Sequence, residues 1–375
     1  MKSFQSERDR KYKNNSSTRS FLWDIVRWVT CLHHALFLFN FVVDRCDCLV
    51  TKPRPRQKSK LSSARTALPA SREELYPPLV LLGGIAQTKS SWDHHLGALA
   101  EHRQVLVYEC IGQGEKAIDD NNLDASLPAQ ARRLLEQLDA EFTTGGRSND
   151  DDNQLVVDIA GFSFGGRVAM AAACLQTDGV SQKIPDHARV RIRRLHLTGV
   201  GCDRSDYGHV AMRSFSELIK SDPSLRSFAW SILLATYSPA YLRGLPERTL
   251  ERLVDFIASS NNADGLLAIL DQAEVSDVED PWHVVNMADR LVSSGETPEF
   301  SEGTGSKGAV TGKLCVGEFD RMAPVEGVAL LQKKLGWIRH GVDVLPDCGH
   351  AVVLEQPRAW RESVLSFLNA NGAVS

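Results

Sequence analysis

The chain has 375 residues, long for one domain but within the range of doubly wound α/β domains. Its 43% hydrophobic and 24% charged content is ordinary for a globular protein. A net charge of −4 implies no polyanionic partner, so nucleic acid binding is not expected.

The charge is unevenly spread. Residues 1–72 carry 15 Lys/Arg against 5 Asp/Glu, which leaves 28 against 42 for the remainder. Residues 1–20 are polar and basic. Residues 21–43 are apolar but interrupted by Asp24, Arg27, His33 and His34. Their cleanest run, Ala35 to Val43, falls short of the ~20 apolar residues a bilayer-spanning helix needs. The segment suits the apolar part of a signal peptide, a weak anchor or an amphipathic stretch on a membrane surface. Residues 51–72 contain no acid and are rich in Lys, Arg and Ser, the composition of an organelle transit peptide. Together they resemble the two-part leader of plastid proteins in algae with complex plastids, which would place the protein in a plastid. The alternatives are a disordered basic tail on a cytoplasmic protein, or membrane association through residues 21–43. On any of these readings, residues 1–72 stand outside the fold.

From Pro77 the pattern changes. Leu79–Leu82 reads as a strand buried on both faces, stopped by Gly83-Gly84. A helix is expected near 91–102, a strand over 104–108 ending in Gly112-Gln113-Gly114, and an amphipathic helix over 127–142. Residues 145–153 form a polar loop. A strand follows over 155–160, an Ala-rich helix over 168–175 and a strand within 191–201. Residues 203–292 then show only helical periodicity, in pieces near 207–220, 223–236, 246–259, 263–273 and 281–291. Residues 293–308 read as a loop. Alternation resumes with a strand at 313–317, a helix at 325–335, a strand at 342–345 and a final helix from Pro357.

Apolar strands alternating with helices predict an α/β fold, a mostly parallel sheet doubly wound by right-handed crossovers. The helical block is expected as a lid inserted after a strand's carboxyl end, the edge where ligands bind in such sheets. The domain plan is a leader over 1–72, a core over 73–202 and 309–375, and a lid over 203–308.

Gly161-Phe162-Ser163-Phe164-Gly165-Gly166 matches G-x-S-x-G between a strand and a helix. The serine of such a turn sits on a strained backbone that lifts its hydroxyl above the sheet. A phosphate loop is disfavoured, because Arg167 and Val168 stand where Lys and Ser/Thr are required. A serine needs a base, and His350 follows the last strand. The base needs an acid to fix its tautomer, and Asp320 follows the preceding strand, with Glu318 as competitor. The backbone N–H groups of Phe164 and Ile85 are the expected oxyanion donors. Gly84, Trp92 and Arg167 are candidate substrate contacts, with Trp230 and Trp282 as further pocket candidates.

No metal site or cofactor is expected. Cys46 and Cys48 lack a matching Cys/His pair at ligand spacing. Five of the eight cysteines lie in or beside apolar segments and read as buried thiols.

The segments LVLLGGIAQTKSSW, VLVYECIGQG, IAGFSFGGRVAM, GEFDRMAP and CGHAVVLEQP resemble those of the α/β-hydrolase superfamily over about residues 77–370. The likeness is to its lidded branch, which includes succinyl-hydroxy-cyclohexadiene-carboxylate synthases, carbon-carbon bond hydrolases and small esterases. The resemblance implies a Ser163–His350–Asp320 triad and an oxyanion loop at Ile85. Gly83-Gly84 replaces the usual His-Gly, Glu109 replaces a frequent Asp, and residues 61–76 offer little sign of the usual leading strands. Three functions are open. They are hydrolysis of an acyl bond, triad-dependent proton abstraction by a lyase or synthase, and non-catalytic binding. Each takes a small-molecule partner.

Overall fold

The computed structural model describes residues 64–67, 76–114, 124–143, 155–177, 190–293 and 310–370. The chain divides into two units, 1–61 and 62–375. The apolar segment 21–43, nearly all of the basic leader and the loop at 145–153 lie outside the described residues.

The second unit is built on a seven-stranded sheet. Its strands are β1 (Ala64–Ala67), β2 (Leu79–Leu82), β3 (Val105–Tyr108), β4 (Leu155–Phe162), β5 (Val190–Thr198), β6 (Thr311–Gly317) and β7 (Val342–Leu345). Their spatial order is β1-β3-β2-β4-β5-β6-β7. All neighbouring pairs are parallel except β1 with β3. The order reverses beside β2, which leaves β2 and β4 at the centre.

The central strands are apolar, with Asp158 of β4 as the exception, because helices cover both faces. Successive residues point to opposite sides, and the core divides accordingly. Val80, Leu82, Leu106, Tyr108, Val157 and Ile159 pack into one layer. Leu79, Leu81, Val105, Val107, Ala160 and Phe162 pack into the other. The larger layer also takes residues of α2 (Leu127–Thr143), α3 (Phe164–Thr177) and α10 (Val325–Lys334). The smaller takes α1 (Asp93–Leu99) and the final helix α12 (Pro357–Leu368), with α11 (Val352–Glu355) just before it.

Between β5 and β6 the described residues form six helices. These are α4 (Asp206–Ser221), α5 (Arg226–Thr236), α6 (Pro239–Gly244), α7 (Glu247–Ser260), α8 (Ala263–Gln272) and α9 (Val284–Ser293). The expected helical pieces correspond to five of them. The sixth, α6, is a short turn of helix started by Pro239 and capped by the Ser238 hydroxyl, which accepts the Tyr241 N–H.

Two expectations are corrected. Residues 64–67 form β1, with Ala64 opposite Tyr108 and Ala67 opposite Val105. The leader expected over 1–72 is therefore too long, since these residues belong to the sheet. Ala-Arg-Thr-Ala carries little β propensity, and the backbone ladder to β3 decides its conformation.

The second correction concerns charge. Asp158 lies inside β4 and is fully buried, a position the apolar pattern does not flag. It accepts hydrogen bonds from Arg193 at 2.9 and 2.7 Å and from Arg103 at 3.1 Å. Arg193 and Arg194 also donate to the carbonyls of Leu368 and Phe367, closing the end of α12. Removing the shared carboxylate strands buried Arg103. Asp158→Ala should lower the unfolding free energy by about 3–5 kcal/mol, measured by urea denaturation against Asp343→Ala at the exposed edge strand.

Candidate functional site

β4 ends at Phe162 and α3 begins at Phe164, so Ser163 alone makes the turn. Its φ is 52°, left-handed for a residue with a Cβ, a conformation costing about 1–2 kcal/mol. Such strain persists only where the surroundings over-determine it. Here the Ser163 N–H donates to the Thr198 carbonyl at 2.8 Å. Its own carbonyl accepts from Gly166 N–H at 3.0 Å and Arg167 N–H at 3.3 Å. The turn also presses on the end of β2. A Cβ at position 165 would lie 2.6 Å from the carbonyl oxygens of Leu82 and Gly83, so only glycine fits.

His350 lies in the loop after β7 and Asp320 in the loop after β6. The Ser163 hydroxyl is 2.8 Å from His350 Nε2, and His350 Nδ1 is 2.8 Å from Asp320 Oδ2. A carboxylate only accepts, so Nδ1 carries the proton toward Asp320 and Nε2 is left as acceptor for the serine hydroxyl. Asp320 Oδ1 accepts the N–H groups of Met322 at 2.9 Å and Ala323 at 2.8 Å. Both carboxylate oxygens are thus held, and Asp320 and His350 are 4% and 5% exposed. The Phe162 ring lies against the His350 ring, centroids 5.2 Å apart. Glu318, the competitor, instead accepts the Asp347 N–H at 3.0 Å and does not face the imidazole.

The loop after β2 runs alongside. A Cβ on Gly84 would come within 3.4 Å of the Ser163 Cβ. Phe164 N–H, at the first helical position, and Ile85 N–H have no hydrogen-bond acceptor among the described residues. The loop's shape is fixed by Gln113, fully buried between Gly112 and Gly114. Its Oε1 accepts the Ala86 N–H at 3.0 Å, and its Nε2 donates to the carbonyls of Gly84 at 3.2 Å and Gln87 at 3.1 Å. Asn261, at the end of α7, donates to the Ala86 carbonyl at 3.1 Å and accepts the Gly114 N–H at 3.3 Å. Sequence reasoning missed both. The available signal was a glutamine between two glycines directly after a buried strand. Glu109 is buried too, and accepts the Lys89 N–H at 3.0 Å.

Arg167 lies one helical turn below Ser163. Among the described residues it has no ion pair and no side-chain hydrogen bond. The nearby Glu274 is paired with Arg204. Burial, together with the neighbouring Arg204 charge, pushes the Arg167 guanidinium down to about 9. The same cation, with burial, lowers His283. Trp92 is corrected. It is 1% exposed and packed between the His95 and Trp360 rings, with centroids at 5.6 and 5.5 Å, so it is a core residue and no pocket wall. Trp230 packs against the Ala229, Leu233 and Tyr237 cluster, and Trp282 lies under the Arg290 guanidinium at 4.6 Å.

The five described cysteines are buried. Among the described residues no group of three or more His, Cys, Asp or Glu side chains could hold a metal ion.

A parallel sheet with one antiparallel edge, a strained serine at a strand–helix turn and a histidine–aspartate pair over the same edge define a class. The chain belongs to the alpha/beta hydrolase family, whose model matches residues 79–362. Solved structures agree on the fold. An alpha/beta hydrolase enzyme from a Medee basin deep-sea metagenome library is 19% identical, with TM-score 0.58, covering 83% of this chain and 96% of its own. The enol-lactonase from Burkholderia xenovorans LB400 is 16% identical, with TM-score 0.58 and 82% and 96% covered. MenH from S. aureus is 15% identical, with TM-score 0.58 and 82% and 98% covered. No curated protein matches the chain.

Gln113→Leu keeps the volume but leaves the Ala86 N–H and the Gln87 carbonyl unpaired, and the Gly84 carbonyl keeps only the Gln87 N–H. It should lower unfolding stability by about 2–4 kcal/mol, read as a lower denaturation midpoint with unchanged slope.

Proposed function

We propose that the chain is a serine hydrolase that cleaves an ester or related acyl bond of a small or lipophilic substrate through an acyl-enzyme. The observation that carries this reading is the unbroken Ser163–His350–Asp320 chain, with 2.8 Å at each link. In the mechanism, His350 Nε2 takes the hydroxyl proton as Ser163 Oγ attacks the acyl carbon. The imidazolium that forms is steadied by Asp320. The N–H groups of Phe164 and Ile85 receive the developing oxyanion, a contribution of about 3 kcal/mol for each donor. His350 then passes its proton to the leaving oxygen. Water, activated by the same imidazole, releases the acid and restores Ser163. The six helices between β5 and β6 serve as the lid.

A fluorophosphonate should label the wild type at one site and leave Ser163→Ala unlabelled while that variant stays folded. Asp320→Asn should reduce kcat for a p-nitrophenyl ester by about 10⁴-fold, because the wrong imidazole tautomer is favoured. A folded wild type that resists labelling would refute the acyl-enzyme reading and favour a binding protein or the reaction without acylation.

Arg167 supports a narrower reading. A largely buried cation with no counter-ion of its own favours a substrate bearing a carboxylate. That charge also fits the second reaction, in which the triad abstracts a proton and eliminates a leaving group without acylation. Arg167→Met should raise KM for a carboxylate-bearing ester about 10- to 100-fold, as expected for losing a charged hydrogen bond. A neutral ester of equal size should be nearly unaffected. Equal losses on both esters would rule out carboxylate recognition.

A further inference from the structure

Glu355 stands outside the three residues above, yet its carboxylate reaches the loop that carries His350. Oε1 accepts the Gly349 N–H at 3.0 Å and the Ser238 N–H at 3.1 Å. Gly349 immediately precedes His350, and Ser238 joins α5 to α6 in the helical insertion. One oxygen therefore ties the histidine loop to the insertion. The seam is close on both sides. The Ala351 N–H donates to the Thr236 carbonyl at 2.9 Å, so of the residues flanking His350 one is bonded to the 236–238 segment directly and Gly349 through Glu355. A Cβ at Gly349 would lie 2.6 Å from Ser238 N and 2.7 Å from the Thr236 oxygen. Ala351 packs with Ala229, Leu233 and Tyr237 of the insertion.

This arrangement is costly for a merely structural contact. Glu355 Oε2 is buried with no hydrogen-bond partner among the described residues. Burial, with the Asp320 charge adding to it, raises the Glu355 pKa. A buried carboxylate with one oxygen unsatisfied destabilises the fold. An apolar residue there would avoid that cost but would also release two backbone N–H groups.

We propose that Glu355 is a positioning residue, whose carboxylate oxygen pins the His350 loop to the helical insertion and so fixes the imidazole between Ser163 and Asp320. The reading rests on His350 being the base. It makes the insertion part of the catalytic scaffold at residues 236–238, whatever the rest of that segment does.

The test uses the full chain, with Glu355→Gln and Glu355→Ala. Gln keeps an oxygen that can accept both N–H groups, and Ala does not. Four quantities are measured: kcat and KM on a p-nitrophenyl ester, the rate of fluorophosphonate labelling, and the downfield proton NMR signal of His350 Nδ1–H. Glu355→Ala should lose or broaden that signal and lower kcat and the labelling rate by about 10- to 100-fold, the scale of a 1 Å misplacement. KM should stay within about twofold, because substrate contacts are untouched. Glu355→Gln should recover the signal and most of kcat. Gly349→Ala, which wedges the same seam without altering charge, should imitate Glu355→Ala. The proposal is overturned if Glu355→Ala keeps the wild-type signal and kcat, or if Gln is as impaired as Ala. A wild type that resists the fluorophosphonate defeats the acyl-enzyme reading alone, and the NMR signal still decides the clamp.

Discussion

The arrangement depends on one close approach, where the turn after β4 rests on the end of β2. With Gly165 against the carbonyls of Leu82 and Gly83, α3 can begin at once after β4 and Ser163 is forced left-handed. That contact sets the height of the hydroxyl above the sheet. It also brings the loop after β2 beside the serine, so the nucleophile candidate and the oxyanion-donor candidates share one geometric origin. A bulkier residue at the contact would separate them together.

Around that point the protein places polar groups in tiers. Asp320 is held by two backbone N–H groups and in turn orients His350. Gln113 satisfies three backbone groups of the Gly84–Gln87 segment. Asn261 joins the insertion to Ala86 and Gly114. Each loop over the strand ends is tied by a buried side chain from elsewhere in the chain. Loops carry the reactive groups, and their rigidity comes from these ties. Arg167 stands apart because its guanidinium has no such side-chain tie among the described residues, and burial with the Arg204 charge holds its pKa down.

At the opposite edge of the sheet, buried charge serves the fold. Asp158 gathers Arg103 and Arg193, and Arg193 with Arg194 closes the carbonyl end of the final helix. The two ends of the sheet thus use ionisable groups differently: fully paired at one and partly unpaired at the other.

Much of this was legible in the sequence. The strands Leu79–Leu82 and Val342–Leu345 fall where apolar runs bounded by Pro and Gly place them. The serine, aspartate and histidine each follow such a run, so local pattern alone located the three residues that meet. What periodicity could not supply was contact between distant segments. β1 has a weak intrinsic preference and exists through its ladder to β3. Trp92 reads by default as a core ring and otherwise as a pocket wall, and its packing against Trp360 decides. Gln113, Asn261 and Glu355 are polar residues near turns, indistinguishable in sequence from solvated loop residues. The sequence by itself determined the fold class and the three candidate residues that meet, because those depend on short-range order along strands and turns. The tertiary structure decided which side chains hold those three in place, because a hydrogen bond between separate loops leaves no mark on local periodicity.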